Sequence, residues 1–473
     1  IIRAHGLEGE PLVMALLVKN GRIVTATDDY TADIFCAGEQ ITAIGPGLSA
    51  PADAEVIDAA GKLVFPGFID PHVHIYLPFM GTFAKDDYES ASRAALVGGT
   101  TTLIEMICPA RDDEPWEAYQ LWRSKAADKA AVDYSFHMGV TRFDDRSAEQ
   151  LRRIVDDGVA SFKVFLAYRG ALGVNDEELY RTLALAKQLG VIVTAHCENE
   201  TLVAQRQAEL LAAGHSGPEF HEPSRPTVVE AEGVHHLMTF AELTGASTYI
   251  VHTSCEEAIR EAVAARARGV QVWIETVAPY LVLDRSFAER GEFEGAKYVM
   301  SPPLRERRHQ DSLWINLRNR TISTIATDHA PFDFVGQKDM GRSDFTKIPN
   351  GIPSLEHRVN IAYTYGVQRG RFDLHTLVDA CSTQAARLFG LYPRKGTIQV
   401  GSDADLVIFD PEYRGKLSAA TQLMDVDYCA FEGMEIEGRP SVVTVRGEIQ
   451  ARDGDFVGTL GCGEQLRRAP THF

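Results

Sequence analysis

The sequence predicts a (β/α)8 TIM-like barrel inserted into a small β-sandwich domain formed by both chain ends. Three observations predict it. Between about residues 66 and 395, eight apolar strand candidates alternate with helical stretches. Both ends of the chain are instead made of short β segments separated by turn residues. Several of the central strand candidates end in or run into His or Asp, and one carries a Lys; the C-terminal strand ends of a barrel are where its chemistry sits.

Taken in order, residues 1–13 (IIRAHGLEGEPLV) carry no signal-peptide pattern and read as an upstream extension or tag remnant, with Met14 the more natural start. The stretch 14–65 holds β pieces at 16–19, 22–24, 33–36 and 40–44, with Asn20-Gly21 read as a turn between the first two. The same texture returns at 405–410 and 441–447, so 14–65 and 396–460 are expected to share one β-sandwich, followed by a tail at 461–473. Barrel strands are expected at 63–69, 100–106, 133–139, 161–166, 191–196, 248–252, 270–275 and 322–328 within the catalytic domain 66–395. Helical stretches lie between them, as at 176–189 and 256–268.

Composition narrows the function classes. The chain has 473 residues, 45% of them hydrophobic and 24% charged, enough for a large packed core. Its net charge of -19 and lack of a long basic run argue against nucleic acid or an anionic membrane as partner. No apolar run approaches the roughly 18 residues of a membrane-spanning helix. Seven scattered cysteines, none in a Cys-x-x-Cys pair, read as reduced thiols of a cytoplasmic protein.

The chemistry concentrates first in the segment 67–74, where an apolar strand runs into His72 and His74. Spaced i, i+2 on a strand, their imidazoles share one side and make half of a divalent-metal site. Lys163 lies in the fourth strand candidate, His196 ends the fifth, His252 the sixth and Asp328 the eighth. Four histidines and an aspartate exceed one catalytic zinc site and suit a pair of cations about 3.5–4 Å apart. Such a pair needs an anionic bridge. A lysine in a strand is commonly a snorkelling surface residue, whereas one that adds CO2 becomes a long carbamate able to reach both ions. Residue types alone leave both readings open.

The motifs PGFIDPHVH (66–74), GGTTTLIEM (98–106), SFKVFLAY (161–168), VTAHCEN (193–199), HEPSRP (221–226), VHTSC (251–255), SPPLR (301–305), ATDHAPF (326–332) and NGIPSLEHR (350–358) occur in this order. With them the chain resembles the D-hydantoinase/dihydropyrimidinase family of the amidohydrolase superfamily, from Met14 to about Phe473. The resemblance implies that His72, His74, carbamylated Lys163 and Asp328 hold one metal, and that Lys163, His196 and His252 hold the other. It implies two divalent ions, zinc first, with manganese or cobalt also suited to the ligand set. It implies that Tyr168, with the backbones of Ser301 and Asn350, binds a small cyclic ureide, and that Asp328 and Tyr168 are catalytic. The implied reaction is D-selective opening of 5-substituted hydantoins, and of dihydropyrimidines, to N-carbamoyl amino acids by a hydroxide held between the metals. Loops 75–83 and 164–173 would meet the exocyclic group through Leu77, Phe79, Phe165 and Leu172. A homotetramer, or a homodimer, is implied as well, with the segment 450–473 taking part.

Alternative readings are an allantoinase, a dihydroorotase-type cyclic amidohydrolase, or a non-catalytic dihydropyrimidinase-related structural protein. A dihydroorotase usually places an Arg two residues after its His-x-His to grip a carboxylate; Tyr76 stands there. The non-catalytic relatives lack most metal ligands, and all six positions here hold competent residues. Outside this set, His137 reads as core, His329 as ligand support or structural hydrogen bonding, and His235 and His236 as surface or structural. Glu105 reads as either orienting a ligand or forming a structural ion pair, and Cys197 and Cys255 as packing.

Overall fold

The computed structural model describes residues 15–471. The extension 1–13, Met14 and the last two residues of the expected tail lie outside the described residues. Within them the chain folds as a (β/α)8 barrel inserted into a β-domain that both chain ends build.

The barrel strands, numbered here in chain order, are β1 (Phe68–Val73), β2 (Thr100–Ile107), β3 (Asp133–Gly139) and β4 (Ser161–Arg169). They continue with β5 (Ile192–His196), β6 (Thr248–Ile250), β7 (Val272–Val277) and β8 (Thr324–Ala326). Each pairs in parallel with the next. Their side chains are almost all buried, as expected of strands covered by helices outside and packed side chains within. The ring closes between β8 and β1. The His74 amide donates to His329 O at 2.8 Å and the Asp328 amide to His72 O at 3.0 Å. The fully buried Arg358 guanidinium pins the same seam, donating to Ile69 O on β1 (2.7 Å), Ile325 O on β8 (2.9 Å) and Thr100 Oγ1 on β2 (3.0 Å). Helices Asp176–Leu189 and Glu256–Ala267 fall where the sequence predicts them. The first is fixed by a capping box between Asn175 and Glu178.

The chain ends meet in one nine-stranded mixed sheet. Its seam is the antiparallel pairing of Leu63–Pro66 with Leu406–Lys416, over a core that includes Val18, Ile23, Ile34, Val64, Leu406 and Ile408. After the sheet, residues 463–468 return to the barrel. Leu466 N donates to Tyr134 O at 2.7 Å, and the buried Arg468 reaches Ser135 Oγ at 2.8 Å and Ser161 Oγ at 2.9 Å. Among the described residues no helix is long and apolar enough to cross a membrane.

The structure corrects two local readings. The expected strand 63–69 is two strands: Leu63–Pro66 belongs to the terminal sheet and Phe68–Val73 to the barrel. Gly67 is the joint, its amide bonded to Asp405 O at 2.8 Å, and a Cβ there would strike the Thr101 side chain. Apolar composition is the same on both sides of such a joint, so hydropathy cannot divide it. Asn20-Gly21 is a bulge inside the single strand Ala15–Val24 rather than a turn. Asn20 takes the left-handed conformation, and its amide is held by Asp33 Oδ1 at 2.9 Å.

Candidate active site

The candidate residues converge at the C-terminal mouth of the barrel. His72 lies on β1, Lys163 and Tyr168 on β4, and His196 closes β5; His74 sits one residue past β1, and His252 and Asp328 two residues past β6 and β8. Those last two, and Tyr168, have φ of 38°, 50° and 64°, a conformation non-glycine residues rarely adopt. This local twist shortens β6 and β8 relative to the sequence expectation and turns both side chains inward.

His72 Nε2 and His74 Nε2 stand 3.1 and 3.2 Å from Asp328 Oδ1. These three residues offer donor atoms close enough together to hold a metal ion. Across the mouth, His196 Nδ1 and His252 Nε2 are 3.0 Å apart. Lys163 is fully buried and its Nζ has no hydrogen-bond partner; His72 Nε2 and His252 Nδ1 also lack one. Buried polar atoms left open together are the signature of a group that belongs between them.

The ring orientations support that fit. Glu275 on β7 takes the His72 Nδ1–H at 2.7 Å, so the Nε2 lone pair is left on the side of Asp328 Oδ1. Its carboxylate also accepts the His252 amide at 2.8 Å and the Tyr249 hydroxyl at 2.8 Å. Glu198 takes the His196 Nε2–H at 2.8 Å, which turns the Nδ1 lone pair toward His252. Burial alone would raise the Glu198 carboxyl above its ordinary range, yet the Arg225 guanidinium, 2.5 Å away, and His196 hold it down at about 2. Burial likewise opposes the ionised Asp328 carboxyl, and the surrounding imidazoles, His72 first, hold it well below the usual carboxylate range. Burial lowers the Lys163 ammonium, against the opposing pull of Asp328 and Glu275. It also lowers His74 to about 4. Burial likewise lowers His196 and His252, whereas at His72 burial is outweighed by Glu275 and Asp328, which raise it. Neutral imidazoles, as at His74, His196 and His252, and an ionised carboxylate are the ligand forms a divalent cation needs. Glu275→Gln is expected to lower metal affinity about 10–100-fold while the fold persists, measured by competition with a chelator.

A narrow cavity lies over these donors. Its lining includes His74, Lys163, His196, His252 and Asp328 on the polar floor; Tyr168, Ser301 and Asn350 on one side; and Leu77, Phe79, Phe165 and Leu172 at the mouth. Of the residues expected to bind metal or substrate, all but His72 line this cavity. The Asn350 amide donates to Ser301 Oγ at 2.9 Å. Burial raises the Tyr168 phenol despite Arg225 nearby, so it stays a protonated donor at neutral pH.

Other candidates resolve differently. His137 is a core residue, bonded to Ser161 Oγ (2.6 Å) and Pro71 O (2.9 Å). His329 is held by Asp86 at 2.9 Å and by backbone amides of Ser354 and Leu355, which is structural bonding. His235 and His236 pair with Glu261 and Asp176 on the helix surface. Cys197 and Cys255 are buried thiols.

Glu105 does neither of the things expected of it. Its Oε1 accepts the amides of Ile75 (3.0 Å) and Tyr76 (2.7 Å), fixing the start of loop 75–83, and among the described residues no cation pairs with it. Burial pushes its carboxyl from 4.5 up to about 8. A carboxyl raised on folding contributes stability below its unfolded value and loses it as pH rises through the folded value. The wild type is therefore expected to fall behind Glu105→Gln in Tm as pH rises from about 5 to about 9, read by thermal denaturation at each pH.

With the geometry in hand, comparison with known proteins is direct. A profile of the amidohydrolase family matches residues 63–450. A D-hydantoinase of Geobacillus stearothermophilus is 47% identical over 457 residues, covering 96% of this chain and 97% of that protein. A dihydropyrimidinase of Rattus norvegicus is 38% identical, covering 96% and 89%. Among solved structures, a D-hydantoinase (dihydropyrimidinase) from Thermus sp. superposes with a TM-score of 0.95 at 60% identity, covering 97% of this chain and all of that one.

This chain belongs to the D-hydantoinase/dihydropyrimidinase family of amidohydrolases.

Amidohydrolases are metal-dependent hydrolases, and the His72/His74/Asp328 cluster of this family member fits a metal ion. Three of its site residues escaped the sequence reading. Glu275 gave a signal, as the single carboxylate in the apolar run VQVWIETV; Glu198 and Arg225 stood inside quoted motifs with no role attached.

Proposed function

We propose that this chain opens 5-substituted hydantoins, D-selectively, and dihydropyrimidines to N-carbamoyl amino acids. One observation carries the reading: His74 and Asp328 of the three-donor cluster, and Lys163 with its unpartnered amine, line one small cavity with Tyr168, Ser301 and Asn350. In this reading His72, His74, carbamylated Lys163 and Asp328 hold one divalent ion, and Lys163, His196 and His252 hold a second. Zinc, manganese and cobalt all suit the set. The lowered Lys163 ammonium supports carbamylation, because CO2 adds to the neutral amine. When bound, the ions supply an activated water at neutral pH and polarise the ring carbonyl.

The chain's own residues perform the remaining work. The Tyr168 hydroxyl donates to the ring carbonyl oxygen and stabilises the negative charge that develops there. Asp328, ionised and buried beside that carbonyl, takes the proton of the attacking water and returns it to the departing ring nitrogen. Backbone groups of Ser301 and Asn350 bind the ring edge, common to all cyclic ureides. Selectivity for the exocyclic group falls to Leu77, Phe79, Phe165 and Leu172. Leu172, where an aromatic would narrow the mouth, leaves room for bulky substituents. Leu172→Phe is expected to lower kcat/KM for D-5-aryl hydantoins several-fold relative to dihydrouracil, measured in parallel assays.

Seven unpaired cysteines among the described residues support a reducing, cytoplasmic setting. Likeness to the D-hydantoinases supports the D preference, and the family supports a homotetramer or homodimer. The test is ring opening of dihydrouracil and a D-5-aryl hydantoin by zinc- or manganese-loaded protein, beside dihydroorotate and allantoin. Turnover of the first two alone is the expected result. No turnover of either at full metal content overturns the substrate assignment.

A further inference from the structure

Lys338, in the loop after β8, is fully buried, and among the described residues no carboxylate pairs with it. Its Nζ donates instead to two backbone carbonyls, Val299 O at 3.0 Å and Pro349 O at 2.9 Å. Val299 stands two residues before Ser301, and Pro349 one residue before Asn350. Ser301 and Asn350 line the catalytic cavity on one side. A single amine therefore spans the two segments that carry them.

A lysine is a costly way to fill this position. Its turn, Lys338–Gly341, packs on a small core of Ala296, Val299, Phe345 and Ile348. Burial lowers the ammonium from 10.5 to about 7. The neutral amine has two N–H groups, one for each carbonyl. Met would fill the same space without the cost of burying a polar head. What the lysine adds over an apolar side chain is the pair of hydrogen bonds.

The segment around Ser301 is held at every neighbouring carbonyl. Val299 O also accepts the Gly351 amide at 3.0 Å, Met300 O the His221 ring at 2.8 Å, and Pro302 O the Tyr280 hydroxyl at 2.5 Å. Ser301 O, in the middle, accepts no hydrogen bond from the described residues. With the Asn350 amide on Ser301 Oγ and the Gly351 N–H on Val299 O, Lys338 completes a three-point brace between the two segments.

We infer that Lys338 is a positioning residue for ring recognition: it sets the spacing of Ser301 and Asn350, so that their backbone groups meet the edge of the cyclic ureide together. It acts through them and touches no substrate. This rests on the ring-opening reading above.

The test is Lys338→Met, which keeps the length and loses both donors, assayed on dihydrouracil and a D-5-aryl hydantoin beside wild type. KM is expected to rise about tenfold for both substrates while kcat stays within about twofold, the pattern of lost uniform binding. Metal content is expected to be unchanged. Gln337→Leu cuts the neighbouring ties of the same turn, to Thr82 Oγ1 at 2.7 Å and Phe83 O at 2.8 Å, and is expected to leave the dihydrouracil KM in place. A lysine with only a structural role would lower Tm and the amount of active enzyme, and so kcat, without moving KM. An unchanged KM in Lys338→Met, a rise for one substrate alone, or an equal rise in Gln337→Leu overturns the positioning role. Where Lys338→Met does not fold, Lys338→Gln, which keeps a shorter donor, is read by the same criteria; failure of both to fold assigns the lysine to the core and overturns the inference. Wild type that opens neither substrate overturns the ring-opening reading, and this role with it.

Discussion

Lys163→Ala is expected to lower kcat/KM for ring opening by roughly 10³-fold, because on the proposed carbamate reading it removes the metal-bridging anion and with it about 4 kcal/mol of stabilisation. The side chain is fully buried at the centre of the donor set with no partner of its own. Its removal leaves His72, His74 and Asp328 on one side and His196 and His252 on the other, with nothing anionic between. Metal content is expected to fall with activity, read by elemental analysis after gel filtration. Lys163→Arg is expected to fare no better, since a guanidinium does not form a carbamate and stays charged. Short carboxylic acids added to Lys163→Ala are expected to restore part of the activity by occupying the vacated volume. A Lys163→Ala protein with full metal content and undiminished rate would overturn the bridging role. Carbon-13 carbon dioxide gives the independent readout, a carbamate resonance in wild type that disappears in the variant.

Tyr168→Phe is expected to cost about 10²–10³-fold in kcat with little change in KM, the pattern of a donor that acts on developing charge rather than on the bound ground state. The substitution removes one oxygen. The ring's edge-on contacts with Phe79 (5.4 Å) and Phe165 (6.1 Å) persist, as does the hydrogen bond from the Tyr168 backbone N–H to the Glu200 carboxylate. A loss confined to KM would assign Tyr168 to substrate binding alone. The pH profile separates the two further, because burial keeps this phenol protonated well beyond neutral pH and its donation is not lost on the alkaline side first.

Much of this architecture is legible in the sequence. Eight apolar runs set between helices specify a barrel, because each strand is buried on both faces and each helix on one. The helix Asp176–Leu189 is bounded by its own Asn175 cap and Gly190 stop, which are local signals. The ligand types are legible too, since His72 and His74 lie two apart on one short segment, His196, His252 and Asp328 end apolar runs, and Lys163 stands inside one.

Other features are not local and could not be read. The break at Gly67 depends on Thr101 and Asp405, residues distant in sequence that occupy the space a side chain would need. The Asn20-Gly21 bulge replaces a hairpin because Asp33 and Val64, on neighbouring strands, hold the chain extended through it. Glu275 becomes a ligand-orienting residue only because β7 brings it to His72, 203 positions away in the chain. Glu105 looks like a ligand partner or half an ion pair until its two backbone donors are seen.

The sequence by itself determined the strand and helix rhythm, the family and the inventory of metal-competent side chains, because periodicity and residue chemistry are properties of short segments. The tertiary structure alone decided which lone pairs face the cavity, which carboxylates hold the imidazoles, and that Lys163 is buried and unpartnered. These depend on barrel closure, which sets atoms hundreds of residues apart within hydrogen-bonding distance and removes the water that would otherwise satisfy them.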